Sequence, residues 1–152
     1  MNFEVFLSEL ETLLKKMEYE TAALKSEEPD LSDTLRAMVP VDENGNRVLM
    51  EFMAIPYDED AFLVQIYTTM IAEIGPGYEA LKEMTLEWNL VCPIGAFGIY
   101  RQNRQFYHKY NYLLPADGDP EKQAMEVFYI IHLVRDVIAE VFPDAVRLSG
   151  NP

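Results

Sequence analysis

The chain has 152 residues, few enough for one domain and enough to bury roughly 70% of its unfolded surface without disulfides or a structural metal. An apolar fraction of 49% excludes a wholly disordered chain. Its 26 acidic side chains outnumber the 12 basic ones and leave a net charge of −14, which repels phosphate backbones and anionic headgroups, so no nucleic acid and no membrane is expected as partner.

Seven apolar residues, Phe3, Phe6, Leu7, Leu10, Leu13, Leu14 and Met17, recur at three- and four-residue steps and predict an amphipathic helix. Glu4 early and Lys15 and Lys16 late suit the helix dipole. The pattern extends the helix over residues 2–25, until Ser26-Glu27-Glu28-Pro29 breaks it. Residues 35–41 read as a short strand, with Pro40 making it an edge strand or ending its pairing. Asn44-Gly45 supplies the positive-φ residues of a tight turn. Strands follow at 47–55 and 61–70, separated by the turn Pro56-Tyr57-Asp58-Glu59-Asp60.

After Gly75-Pro76-Gly77 a helix is expected over 78–90, stopped by Cys92-Pro93. Strands are expected at 95–101 and 105–114, joined by Gln102-Asn103-Arg104. Asp119 and Pro120 have the residue types of a helix cap and a first helical position. The last helix should reach Phe142, before Pro143, and leave 144–152 as a loose tail. The whole reads as a single α+β domain of order α-β-β-β-α-β-β-α, an antiparallel sheet packed by helices.

Alternation divides each strand between two faces. Val48, Met50, Phe52, Ala54, Phe62, Val64, Ile66, Phe106, His108, Tyr110, Tyr112 and Leu114 form a nearly continuous apolar set that should lie against the helices. The opposite set mixes Leu49, Met53, Ile55, Leu63, Tyr67, Tyr107 and Leu113 with Glu51, Gln65, Lys109 and Asn111, more apolar than a plain solvated face. Either the chain's own elements cover it, or a partner does.

The motifs of familiar chemistry are absent from the sequence. Gly75-Pro76-Gly77 has neither the spacing nor the Lys-Ser/Thr of a phosphate loop, and no Gly-x-Ser-x-Gly elbow occurs. Cys92, His108 and His132 have no metal-ligand spacing, and Asp58, Glu59 and Asp60 lack the alternation of a calcium loop. His108 is expected to be packed or at a rim, His132 on a helix surface, and Cys92 buried and inert. No metal, cofactor or catalytic residue is expected. A single cysteine forbids an intramolecular disulfide and suits a reducing cytoplasm. The first residues lack the basic region of a secretory signal, and no apolar run approaches the ~20 residues of a membrane span.

Between Trp88 and Ala116 there is no acidic residue, while Arg101, Arg104 and Lys109 occur among tyrosines. Three charges in so acidic a chain favour a neutralising contact with acidic stretches, in the same chain or across a dimer, over a base-stacking surface.

The strand Phe62-Leu63-Val64-Gln65-Ile66-Tyr67, the helix end Leu86-Glu87-Trp88-Asn89, and the strand Ala96-Phe97-Gly98-Ile99-Tyr100 with its hairpin partner resemble those of the YbjN-like bacterial proteins, and through them the type III secretion chaperones. The likeness runs from about residue 3 to 142. It implies an α+β fold, a homodimer, no catalytic residues, and, as in the secretion chaperones, an extended client segment wrapped on the protein.

The expected function is therefore non-enzymatic: a cytoplasmic chaperone- or adaptor-like domain binding a protein or peptide client through its sheet face and helix grooves. Leu49, Met53, Ile55, Leu63 and Tyr67 are its apolar contacts, with Tyr107 and Lys109 as a mixed rim. The alternative is a small-molecule-sensing regulator with an aromatic pocket of Tyr78, Trp88, Tyr110 and Tyr112.

Overall fold

A computed structural model describes residues 3–151. Its elements are α1 (Phe3–Lys16), β1 (Glu20–Leu24), β2 (Thr34–Pro40), β3 (Arg47–Pro56), β4 (Ala61–Ile71), α2 (Tyr78–Val91), β5 (Ala96–Tyr100), β6 (Gln105–Pro115) and α3 (Pro120–Ser149). The six strands form one antiparallel sheet in the order β1-β2-β3-β4-β6-β5. The fold is a single α+β domain, with one strand more than expected.

That extra strand corrects the first helix. Residue 2, where the helix was expected to begin, lies outside the described residues. The helix ends at Lys16, one residue before Met17, the last residue of the apolar stripe. Glu18 takes a left-handed conformation with φ 63°, and Tyr19 N–H returns to the Leu14 carbonyl. The chain thus reverses, and residues 20–24 pair with β2 from Glu20↔Met38 to Leu24↔Thr34. Ala22, Ala23 and Leu24 have the propensity to continue a helix, but pairing along a strand edge outweighs that weak preference. Because β1 covers its outer side, β2 is an interior strand, and Pro40 ends its pairing opposite Arg47.

The second correction is at the C-terminus. The helix passes through Pro143 to Ser149, where Gly150, at φ 71°, caps it. Proline removes one intrahelical donor. Packing offsets the loss: Ala145 and Ser149 are fully buried. Gly77 N–H donates to the Ser149 carbonyl (3.0 Å), Gly75 N–H to Ser149 Oγ (3.0 Å), and Asn151 Nδ2 to the Glu73 carbonyl (2.9 Å). The approach is close enough to require glycine: a Cβ on Gly77 would sit 1.6 Å from the Leu148 carbonyl oxygen. At the other end, Asp119 accepts from Glu121 N–H and Lys122 N–H, and Pro120 occupies the first turn, as the sequence predicts.

The core lies between one face of the sheet and the three helices. Leu35, Met50, Phe52, Phe62, Ile66 and Phe106 are among its buried strand residues. The rings of Phe3 and Phe6 on α1 pack on Phe62, and Trp88 on α2 packs on Phe97 and Phe106. From α3, Val127, Ile131, Val134 and Ile138 complete the layer.

β5 is an edge strand, and a side chain closes part of its edge. Phe97 N–H donates to Asn89 Oδ1 (2.8 Å), and Asn89 Nδ2 donates to the Phe97 carbonyl (2.9 Å). The amide stands where a further strand would bond. Asn89→Ala should lose about 1–2 kcal/mol in a urea titration, the worth of two part-buried hydrogen bonds. An unchanged midpoint would show that the amide contributes nothing.

Candidate functional site

The other face of the sheet has no helix over it among the described residues. Register places its side chains in four rows. Met38, Leu49, Thr69, Tyr107 and Gly98 make the first; Arg36, Glu51, Tyr67, Lys109 and Ala96 the second. Met53, Gln65 and Asn111 make the third, and Ile55, Leu63 and Leu113 the fourth. The seven residues expected to contact a partner are thus brought onto one surface spanning β3, β4 and β6. Leu49, Met53, Ile55, Leu63, Tyr67 and Tyr107 are partly exposed, and Lys109 is exposed. Leu113 joins them at 54% exposure; its alternation showed the face but not how open it would be.

Several polar residues of this face are tied together. Arg36 Nε donates to Glu51 Oε2 at 3.0 Å, and Arg47 pairs with Glu20 at 3.2 Å. Tyr67 donates its hydroxyl to Gln105 Oε1 and stacks on Tyr107, ring centroids 5.0 Å apart. Burial first, and then the neighbouring Tyr107, Glu51 and Tyr100, push the Tyr67 phenol up to about 12. It therefore stays a neutral donor at ordinary pH. Beside it a depression of 260 Å³ is lined by Thr34, Glu51, Met53, Gln65 and Tyr67. Apolar side chains between paired polar groups make a surface for noncovalent contact.

The four residues of the alternative aromatic pocket are distributed differently. Tyr78 lies under the Arg104 guanidinium, 4.6 Å from its ring centroid. Trp88 packs on the core phenylalanines. Tyr110 and Tyr112 lie 6.3 Å apart, with the Tyr112 hydroxyl donated to Glu126 on α3. A larger groove, of 560 Å³, lies elsewhere, between α1 and the segment joining β1 to β2. Phe3, Leu7, Leu31 and Leu35 form its apolar side. Its carboxylates are Glu4, Glu11 and Asp33, the last held by Lys25 at 2.8 Å. No spacing signal brings these segments together in the sequence, because the groove depends on β1.

His108 is fully buried on the helix side of β6, and Cys92, half-buried, lies 4.0 Å from its Nε2. Spacing alone does not reveal this approach. The chemistry of the pair is nonetheless muted. His108 Nε2 is 2.8 Å from the Ile94 carbonyl, an acceptor only, so Nε2 carries the ring proton. It cannot take a proton from the thiol, which donates to the same carbonyl at 3.1 Å. Nδ1 is buried with no partner.

Burial depresses the His108 pKa, with the Ile94 bond opposing. The unfolded chain titrates near 6.5, so below about pH 6.5 it binds a proton that the folded state refuses. Stability should hold above that pH and fall beneath it, by at most ~1.4 kcal/mol per pH unit for this one group. Urea titrations from pH 7.5 to 5.5 test this against His108→Gln, whose slope should be shallower by that amount (conditions chosen around the free histidine value). Equal slopes would contradict it.

The basic residues between Trp88 and Ala116 find no carboxylate: among the described residues no ion pair includes Arg101, Arg104 or Lys109. Within the chain, the expected contact with acidic stretches is replaced, for Arg104, by carbonyls. Its Nε donates to Ile74 O (3.1 Å) and its Nη2 to Gly75 O (2.9 Å), fastening the β5–β6 turn to the approach of α2. Among the described residues no group of three or more histidine, cysteine or carboxylate side chains could hold a metal ion. No described helix is long and apolar enough to cross a membrane.

No family model matches the chain, and the search of curated proteins returned no match.

Proposed function

We propose that this chain is a non-enzymatic, chaperone- or adaptor-like domain that binds a partner polypeptide on the uncovered face of its sheet. One observation carries the reading: the face holds Leu49, Met53, Ile55, Leu63, Tyr67 and Leu113 partly or largely exposed, and none of the described helices lies over it. Apolar groups of a partner would fill the spaces between these side chains, while the net charge of −14 keeps the complex in solution. The reading includes a cytoplasmic homodimer and relationship to the YbjN-like proteins, which rest on the resemblance carried by residues 62–67, 86–89 and 96–100. A photo-crosslinking residue at position 63, used in cells of the source organism, should join the protein to a distinct polypeptide, while one at exposed Glu140 on α3 should not. Equal labelling at both positions, or none at 63, would remove the reading. Sedimentation showing only a 17.5 kDa species at every concentration would remove the homodimer.

The groove beside α1 favours a second reading, a small-molecule-sensing regulator, because its volume of 560 Å³ is that of a ligand site. A metabolite that fills it should raise the unfolding temperature. Loss of that rise in Leu7→Glu, in a variant that still folds, would place the ligand there.

A further inference from the structure

The open face is not uniform, and its β5–β6 corner is built from aromatic rings. Tyr67 and Tyr107 stack with their planes 24° apart. Tyr107 reaches over its cross-strand partner Gly98: a Cβ there would meet Tyr107 Oη at 2.5 Å and Cζ at 2.6 Å. A ring folded over a strand glycine lies along the sheet and does not stand up from it. The two tyrosines therefore form an offset stack, a platform in which one ring partly overlaps the other, with exposed Tyr100 on the adjoining edge.

The groups around this platform are complementary to one kind of chain. Tyr67 and Gln105 are bonded to each other, and Glu51 is held by Arg36. Lys109 and Asn111, both exposed on β6, present donors beside it, and the segment from Trp88 to Ala116 carries no carboxylate. Such a surface suits a ligand with apolar rings and carbonyl acceptors. We propose that the corner takes a proline-rich segment of the partner, in polyproline II conformation, laid across Tyr107 and Tyr67.

A polyproline II backbone makes no internal hydrogen bonds, so its carbonyls face outward as acceptors, and pyrrolidine rings lie flat on aromatic ones. Strand addition, the other way to hold an extended chain, is obstructed at this end, because Asn89 occupies the N–H and C=O of Phe97. A saccharide ring would also stack on tyrosine, and its hydroxyls need acceptors as well as donors; Gln105 Oε1 and Glu51 Oε2 are engaged, which leaves the Asn111 amide oxygen and the Tyr107 hydroxyl to meet them.

The assignment rests on the reading of the face as a polypeptide site, and the test separates the two. Isotope-labelled protein is titrated with a short uncharged proline-rich peptide, and with the same peptide after every proline is replaced by alanine. Amide shifts should be confined to the neighbourhood of Tyr67, Gly98, Tyr100, Tyr107 and Lys109. Binding should weaken at least about tenfold for the alanine peptide, and equally for Tyr107→Ala. Tyr107→Leu, which keeps apolar bulk without a flat ring, should weaken it as well and guards against misfolding of the smaller variant. Absence of shifts at millimolar peptide, equal shifts with the alanine peptide, or tighter binding of an uncharged oligosaccharide would each overturn the assignment. Peptides selected from a random displayed library complete the test. Proline-free winners that shift Leu49, Met53 and Leu63 would overturn the assignment and leave the polypeptide reading standing, whereas a library with no binder to the face would overturn both.

Discussion

Deleting residues 144–152 is expected to lower the unfolding free energy by about 3–5 kcal/mol, a large fraction of the ~5–15 kcal/mol typical of a domain. Described residues of this segment fasten the approach to α2. Gly75 and Gly77 would lose their acceptors on Ser149, and the Glu73 carbonyl its donor on Asn151. Ala145 and Ser149, both fully buried, would leave space beneath the start of α2. An unpaired, partly buried N–H costs about 1–3 kcal/mol, and two are involved. Gly77→Ala probes the same contact from the other side, since its new Cβ would fall 1.6 Å from the Leu148 oxygen. Chemical denaturation of the full chain, the shortened chain and Gly77→Ala measures the effect. A shortened chain with an unchanged midpoint would mean that the segment adds nothing to the fold.

The second large effect contrasts two neighbours on β3. Phe52 and Met53 are adjacent in sequence and opposite in the sheet. Phe52 is completely buried, paired between Leu35 and Ile66. Phe52→Ala should cost about 3–5 kcal/mol, because the surrounding core relaxes only partly around the lost ring. Met53 is half-exposed beside Gln65 and lines the shallow depression of the open face. Met53→Ala should cost less than about 1 kcal/mol, and its larger effect should be on partner binding. Comparable losses from both substitutions, measured by urea unfolding, would mean that β3 is buried on both sides.

Alternation is why so much of this sheet was legible from residues alone. On β3 and β4 the change from Phe52 to Met53, or from Val64 to Gln65, marks which side faces helices. Asp119-Pro120 fixes the start of α3 by local chemistry, and Gly45, at φ 84°, serves the turn as expected. Asn44, by contrast, does not take the positive φ expected of it, and Asp42 Oδ1 holds the loop by accepting from Asn44 and Asn46 N–H. What escaped was decided by distant partners. Ala22-Ala23-Leu24 has no intrinsic strand preference and becomes β1 only because β2 offers an edge. Pro143 is a helix breaker in isolation and is overruled by Ser149 packed on Gly75 and Gly77. Asn89 reads as an ordinary helix residue until Phe97 folds back onto it. The approach of Cys92 to His108 depends likewise on how the chain from α2 meets β6. Within the candidate site the residue set was legible, since it follows from period two. The α1 groove was not, since its walls come from segments that β1 brings together.

The most direct test of the open face as the binding surface is methyl NMR of the labelled protein with the polypeptide recovered by crosslinking at position 63. Shifts are expected at Leu49, Met53, Ile55, Leu63 and Leu113, with the exposed methyls of Leu133 and Val146 on α3 left in place. Perturbation of Leu133 and Val146 with the sheet methyls unmoved would show that the partner sits on the helical layer, and would contradict the account.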